Sequence, residues 1–280
     1  MDKIGFSSCC FPEEMPIEEI IQFCLDHQFN AMELSRKSFF LKAINSTNFN
    51  PPTVKASTFE WIKKISASGK IRFTLHGPGD INFSDALAER REDSIRRVEE
   101  AIHLSSILGI ETVGIHPGRL MGEVTPEKLK EAISQNVSGI RRCALKAKEL
   151  GVIVSVENLC HEKGTVNPDI DHFMAMCKEI DLSLIGMTLD TNHAGLVDGI
   201  EKTVSVMGPY VNEIQFSSNK GQKSDHCEPS QGVIDFYTVQ GFFKKYNGIT
   251  IIELNETKEE SAGAVLRTRE YLLNLLNAGH

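Results

Sequence analysis

The chain has 280 residues, of which 41% are hydrophobic and 24% are charged, as in ordinary soluble globular proteins. Its formal net charge of −8 disfavours broad, nonspecific nucleic-acid binding, which needs a basic surface. No apolar run reaches the ~20 residues of a membrane span. The N-terminus lacks a secretory signal, and an odd number of scattered cysteines indicates a reducing, cytoplasmic location.

Short runs rich in Val, Ile, Thr and Phe alternate with longer helical patterns along the chain. Several runs are apolar throughout, as expected of strands covered on both faces. The eight predicted strands are KIGFSS from residue 3, AMELS from 31, IRFTLH from 71, ETVGIH from 111, VIVSVEN from 152, IGMTLD from 185, VNEIQFS from 211 and ITIIEL from 249.

The helical patterns between these strands carry recognisable ends. One pattern ends at Gly109, which we expect to be a C-cap, and the next begins at the Thr125 cap with Pro126 behind it. Strands alternating with helices predict right-handed βαβ units, and their number favours one α/β domain over residues 1–280, a closed (β/α)8 TIM barrel. The alternative is an open doubly wound sheet, although no dinucleotide or P-loop fingerprint follows the first strand.

The longest irregular stretch runs from about Lys37 to Pro52 and contains Phe39, Phe40 and Phe49. A loop of this length in a compact domain is usually a lid or a binding loop. We therefore expect it to close over a ligand at the end of strand 2.

Polar side chains follow most of the predicted strands at the point where each strand ends. In a barrel these ends meet at one mouth, where catalytic residues lie. Each of these residues could have a purely structural role, such as an N-cap for Asp190 or a turn contact for His76. Chance alone would not place polar residues at the ends of so many strands. The candidates at the strand ends are Glu33, His76, His116, Glu157, Asp190 and Glu253, joined by His193 just after Asp190, Gln215 on strand 7 and His226 further along the loop after strand 7.

This mixture of imidazoles and carboxylates, without clustered thiols, suits Zn²⁺, Mn²⁺, Fe²⁺ or Co²⁺. Carboxylates alone would suit Mg²⁺ or Mn²⁺. For Glu33 a structural role is favoured. His161, in the loop after strand 5, is also interpreted as structural.

The chain resembles the xylose isomerase-like TIM-barrel superfamily, in the branch of apurinic-site endonuclease IV and the sugar isomerases and epimerases. The motifs that carry the resemblance are H76-G-P, H116-P-G, E157-N, D190-T-N-H193, H226 followed by Q-G-V-I-D-F, and I-E253-L. In the endonuclease branch the resemblance implies one zinc on His76, His116 and Glu157. It implies a second on Glu157, Asp190 and Glu253, and a third that uses His193 and His226.

Two positions depart from the pattern of the family, the first from both branches and the second from the endonuclease branch. A histidine is expected on strand 7, where this chain has Gln215, a neutral and weaker ligand. The endonuclease D-x-H motif is replaced by Ser224-Asp225-His226. These departures put a complete trinuclear zinc site in doubt, and equally the single-metal site of the epimerase branch.

We expect a metal-dependent isomerase or epimerase that acts on a small sugar or polyol. A divalent metal on Glu157, Asp190 and Glu253 would polarise a carbonyl, while Glu157 and Glu253 move a proton. His193 would orient a hydroxyl group. Substrate binding is assigned to Glu33, Gln215 and Lys220, the last of which would hold an anionic group.

The second hypothesis is zinc-dependent hydrolysis of abasic DNA, which the histidine pair His76 and His116 favours. The net charge and the scarcity of basic residues near the mouth count against it; the main basic candidates are Arg36, Lys37, Arg119 and Lys220. A third hypothesis is a metal-dependent sugar-binding or regulatory protein with a decayed site. The sequence leaves homo-oligomerisation open and predicts no membrane partner.

Overall fold

The strands form a continuous ring of parallel pairs. In the computed structural model, which describes residues 3–35, 56–122, 124–160, 166–255 and 260–279, the order is β1 to β8, and β8 pairs with β1 through Phe6 and Ile252. The predicted α/β TIM barrel is therefore confirmed. The strands are β1 (Ile4–Ser7), β2 (Ala31–Leu34), β3 (Arg72–His76), β4 (Thr112–Ile115), β5 (Ile153–Glu157), β6 (Ile185–Asp190), β7 (Val211–Phe216) and β8 (Ile249–Ile252).

Nine α-helices are present in the described part of the chain, and most lie between consecutive strands. Those that precede β6 are α1 (Ile17–Asp26), α2 (Ala56–Ser68), α3 (Ala88–Leu108), α4 (Pro126–Glu149) and α5 (Ile170–Ile180). The others are α6 (Thr191–Leu196), α7 (Ile200–Met207), α8 (Gln240–Lys245) and α9 (Ser261–Asn277).

The predicted helix ends are confirmed at two places. Gly109 caps α3 in the left-handed region at φ 70°, which glycine adopts without steric cost. The Thr125 side chain accepts a hydrogen bond from the Lys128 amide at the start of α4. The pattern FYTVQGFFKKY forms a 3₁₀ turn, Phe236–Val239, followed by the short α8.

The two faces of the barrel wall differ in polarity. The outer face packs apolar side chains such as Phe6 and Phe216 against the helices. Inside, a small apolar cluster of Ala31, Ile249 and Ile251 shares the barrel with buried polar side chains. Because side chains alternate along a strand, the inward-facing positions of each strand lead up to the mouth, where the site lies.

Among the described helices, none combines the length and the apolar character that a membrane crossing requires. The predicted lid between Lys37 and Pro52 falls within residues 36–55, outside the described residues, and so does His161. All seven cysteines are free thiols.

Candidate metal centre at the barrel mouth

A cavity of about 260 Å³ opens at the carboxyl ends of the strands. Most of the polar residues predicted from the strand ends line it. The described residues of its wall are Cys9, Ser35, His76, His116, Arg119, Glu157, Leu159, Cys160, His193, Ser224, His226, Glu253, Leu254 and Asn255.

A first ligand group consists of His76, His116 and Glu157, whose ligand atoms lie within 4.8 Å of one another. The His116 Nε2 atom is 3.0 Å from Glu157 Oε2, and the two imidazoles meet edge to face with centroids 5.0 Å apart. The His76 Nδ1 atom donates to the Gly77 carbonyl at 2.9 Å, which directs Nε2 towards Glu157. A backbone acceptor of this kind orients an imidazole for metal binding.

A second ligand group consists of Asp190, His193 and His226, again with ligand atoms within 4.8 Å of one another. Asp190 is fully buried. One of its oxygens, Oδ1, caps α6 by accepting from the His193 amide at 2.8 Å. The other, Oδ2, has no hydrogen-bond partner. The structural and functional readings of Asp190 are therefore compatible, because they use different oxygens.

Glu157, a member of the first group, also contacts the second group. Its Oε1 atom is 3.2 Å from His193 Nδ1, on the opposite side from His116. Burial alone would raise the pKa of Glu157, but the charges and hydrogen bonds of His116 and His193 outweigh burial and lower this pKa well below its usual value. For His193, burial would lower the pKa, whereas Asp190 and its other neighbours raise it well above its usual value.

Residues beside the ligands hold the strand ends in register. The Asn158 side chain donates to the Asp190 carbonyl at 3.0 Å and accepts from the Asp190 amide at 2.8 Å, which joins the ends of β5 and β6. The Thr191 hydroxyl donates to the Ser217 carbonyl at 2.6 Å, which joins β6 to β7. The sequence motifs E157-N and D190-T-N-H thus contain both ligands and the residues that place them.

His226 reaches the cavity on a loop that returns towards the barrel. Ser218 and Cys227 form an antiparallel bridge at the base of this loop. His226 itself adopts φ 37°, a strained region for a residue with a side chain, and Asn192 Nδ2 donates to its Nε2 at 3.2 Å. Burial lowers the pKa of His226 despite the nearby Asp190 charge. Ser224, at the expected aspartate position, accepts from Asn192 at 2.8 Å.

Glu253 follows β8 and lines the cavity, but among the described residues it belongs to neither ligand group. A shared ion on Glu157, Asp190 and Glu253 therefore stays a prediction. Burial and then the charges of Glu33, Asp190 and Glu157 raise the pKa of Glu253 well above its usual value.

Cys9 and Cys10 contact this end of β8. The Cys9 thiol lies 3.7 Å from Glu253 Oε1 and donates to it. The Cys10 thiol donates to the Ile252 carbonyl at 3.4 Å and accepts from the Leu254 amide at 3.3 Å. Only the meeting of β1 with β8 brings these residues together, so no local motif signals the contact.

The three predicted substrate-binding residues lie away from the cavity wall. Glu33 and Gln215 are buried inside the barrel, where Gln215 Nε2 donates to Glu33 Oε2 at 3.2 Å. Lys220 is exposed, and its amide donates to Asp225. None of the three is among the described residues that line the cavity. Their role in binding substrate stays a prediction.

Comparisons with known proteins agree on the fold. The model of the xylose isomerase-like TIM barrel family matches residues 21–274. An uncharacterized protein of Methanocaldococcus jannaschii, MJ1311, is 22% identical over 277 residues, which are 96% of this chain and 89% of that protein.

Two solved structures illustrate the range of similar proteins. A D-tagatose 3-epimerase-like protein superposes with a TM-score of 0.78 at 20% identity, with 98% of each chain covered. An AP endonuclease, family 2, from Brucella melitensis superposes with a TM-score of 0.74 at 17% identity, with 97% of this chain and 99% of that chain covered. At such identities the similarity establishes the fold alone. The reaction has to be inferred from the residues of the site.

Proposed function

The chain belongs to the xylose isomerase-like TIM barrel family, and from this premise we propose that it is a metal-dependent sugar isomerase or epimerase. Its substrate is a small sugar or sugar derivative, on which it transfers a proton beside a carbonyl. One observation carries the proposal: Glu157 and Glu253 line the same cavity from β5 and β8, three strands apart in the ring. A molecule in the cavity would therefore have both carboxyl groups in the surrounding wall.

The residues at the mouth fit a divalent metal. Asp190 Oδ2 is a buried oxygen without a hydrogen-bond partner, and imidazoles surround it and Glu157. The first and second ligand groups would hold the ion or ions, with Zn²⁺ or Mn²⁺ best suited to mixed imidazole and carboxylate donors. When bound, such an ion supplies Lewis acidity, which polarises a substrate carbonyl and acidifies the neighbouring C–H bond.

The two carboxyl groups are suited to opposite halves of a proton transfer. The lowered pKa of Glu157 favours its ionised form, which is the form that a base and a metal ligand both require. The raised pKa of Glu253 keeps a proton on it that can be returned to the substrate. Neighbouring carboxyl groups whose pKa values are pushed apart are typical of acid and base pairs, and such catalysis contributes ~10²–10⁴-fold to the rate.

A second candidate function, hydrolysis of a phosphodiester such as abasic DNA, is favoured by the first ligand group. Two histidines and a carboxylate are a common set for a hydrolytic zinc ion. Against it, Arg119 is the one Lys or Arg among the described residues that line the cavity, whereas a DNA enzyme makes several phosphate contacts.

One experiment separates the two functions. The Mn²⁺- or Zn²⁺-loaded protein is incubated in deuterated water with a panel of ketoses, in parallel with an abasic-site duplex. Deuterium in recovered sugar supports proton transfer, and we expect Glu157→Gln to abolish it. Lys70→Met, a change of an exposed residue before β3 and away from the mouth, is the control and should retain it. A nicked duplex without deuterium in any sugar would contradict the proposal and support hydrolysis.

A further inference from the structure

Arg119 is the one permanently cationic side chain among the described residues of the cavity wall. It lies in the loop after β4, three residues beyond His116 of the first ligand group. The rest of the polar wall consists of carboxyl, imidazole, hydroxyl, thiol and amide groups. Arg119 therefore offers a permanent positive charge to a negatively charged part of a ligand in the described part of this wall.

Two asparagine side chains fix the backbone that presents Arg119. The Arg119 amide donates to Asn82 Oδ1 at 2.8 Å, and the Arg119 carbonyl accepts from Asn82 Nδ2 at 2.9 Å. The preceding amide, that of Gly118, donates to Asn136 Oδ1 at 2.6 Å. Asn136 is fully buried and also donates to the Ala132 carbonyl on α4.

These hydrogen bonds hold the backbone of the loop after β4 in one conformation. The hydrogen bonds come from two separate elements, the loop after β3 and helix α4, and they hold both sides of the Arg119 peptide. A residue whose backbone is already ordered loses less conformational freedom when its side chain binds a ligand.

We propose that Arg119 binds an anionic group of the substrate, a phosphate or a carboxylate. The proposal rests on the proposed function and specifies its substrate class as a phosphorylated or acidic sugar. A guanidinium presents donors in a planar fork that matches an oxyanion bidentately. The ligand groups then face the carbonyl and hydroxyl end of the substrate, and Arg119 fixes the other end.

The assignment differs from the one that the sequence predicts. The sequence predicts Lys220, in the loop after strand 7, as the residue that binds an anionic group. Its side chain is exposed, and the residue is not part of the described cavity wall. Because Arg119 lines the cavity, the proposal assigns anion binding to Arg119, while the role of Lys220 stays a prediction.

The test measures binding without turnover. Inorganic phosphate and acetate are titrated calorimetrically into the wild type, Arg119→Met, Arg119→Lys, Lys220→Met and Lys70→Met, once with saturating Mn²⁺ and once with chelator. We expect Arg119→Met to weaken phosphate or acetate binding at least ~10-fold, as the loss of a charge-assisted hydrogen bond does. Arg119→Lys should recover part of the affinity, while Lys70→Met and the metal content stay unchanged.

The relative effect on phosphate and acetate identifies the anion: a larger loss for phosphate indicates a phosphate ester, and a larger loss for acetate indicates a sugar acid. Equal affinities of the wild type and Arg119→Met in both conditions would overturn the proposal. So would a loss confined to Lys220→Met. Because no step of the assay needs catalysis, a failure of Arg119 binding is distinguishable from a failure of the deuterium experiment.

Discussion

Glu157 presents one carboxylate oxygen to each ligand group, with Oε2 3.0 Å from His116 Nε2 and Oε1 3.2 Å from His193 Nδ1. Because Glu157 is 3% exposed, bulk water does not compete with the imidazoles for its carboxylate oxygens. A side chain in this position acts on both groups at once, because a change in its charge alters the surroundings of both imidazoles.

We expect Glu157→Gln to weaken metal binding at least ~10–100-fold, the range that loss of a residue orienting a ligand already produces. Glutamine keeps the shape and removes the charge, so circular dichroism should stay unchanged. Metal content after gel filtration, measured by mass spectrometry, is the readout. Full occupancy in the variant would mean that neither ligand group depends on this carboxylate.

The Cys9 thiol offers a second test at the residue scale. It donates to Glu253 at 3.7 Å, so it helps to orient the proposed proton donor. We expect Cys9→Ala to lower kcat ~3–10-fold with little change in KM, as loss of one hydrogen bond does. Cys9→Ser should restore most of the rate, and the pH profile of kcat should move in the alanine variant alone. Identical profiles in both variants would assign Cys9 to packing.

At the scale of elements, the strands were predictable because each is a short β-rich run, and several are apolar throughout, a pattern that indicates burial on both faces. The strand-end positions of His76, His116, Glu157 and Asp190 followed directly. The contacts of Cys9 with Glu253 were not predictable, because they depend on how the loop after β1 meets β8. The return of His226 to the cavity depends on a loop bridge that its sequence does not signal.

The loops after β3 and β4 pack against each other, and Gly118 lies at this contact. A Cβ atom there would lie 2.5 Å from Asn82 Oδ1 and 2.8 Å from the backbone nitrogens of Phe83 and Ser84. We expect Gly118→Ala to lower the free energy of unfolding by ~1–3 kcal/mol, the usual cost of overpacking, and to weaken anion binding.

Urea denaturation of Gly118→Ala checks this expectation. Gly241→Ala in α8 is the matched control, since a Cβ atom there meets nothing within 4 Å. The control should be neutral or more stable by up to ~1 kcal/mol, because alanine favours a helix over glycine. Equal stability of both variants would show that the two loops accommodate a side chain.

At the scale of the whole molecule, the barrel interior is unusually acidic. Glu213 on β7 is 1% exposed, and one of its oxygens and one of Glu33 have no hydrogen-bond partner. Burial and then the charge of Glu33 raise the pKa of Glu213 well above its usual value of 4.5. The folded chain therefore binds this proton more tightly than the unfolded chain does.

The sign of the pH dependence follows from this difference. Where the folded state holds more protons, raising the pH lowers stability. The contribution of Glu213 is complete below its unfolded pKa of 4.5 and is lost as the pH rises through its higher folded pKa. We expect Glu213→Gln to flatten the fall in Tm between about pH 5 and 8, whereas the exposed control Glu14→Gln should follow the wild type. A steeper fall in Glu213→Gln would contradict this.

The pairing of β1 with β8 has a consequence for how the protein fails. Cys9 and Cys10 lie on one side of this seam, and Glu253 with its neighbours lies on the other. A closed ring has no free edge, but separation of β1 from β8 would create two, each a template for intermolecular strand addition. A change that separates β1 from β8 should therefore lower the catalytic rate and cause aggregation at the same time. Both effects should appear before the remaining seven strand pairs separate.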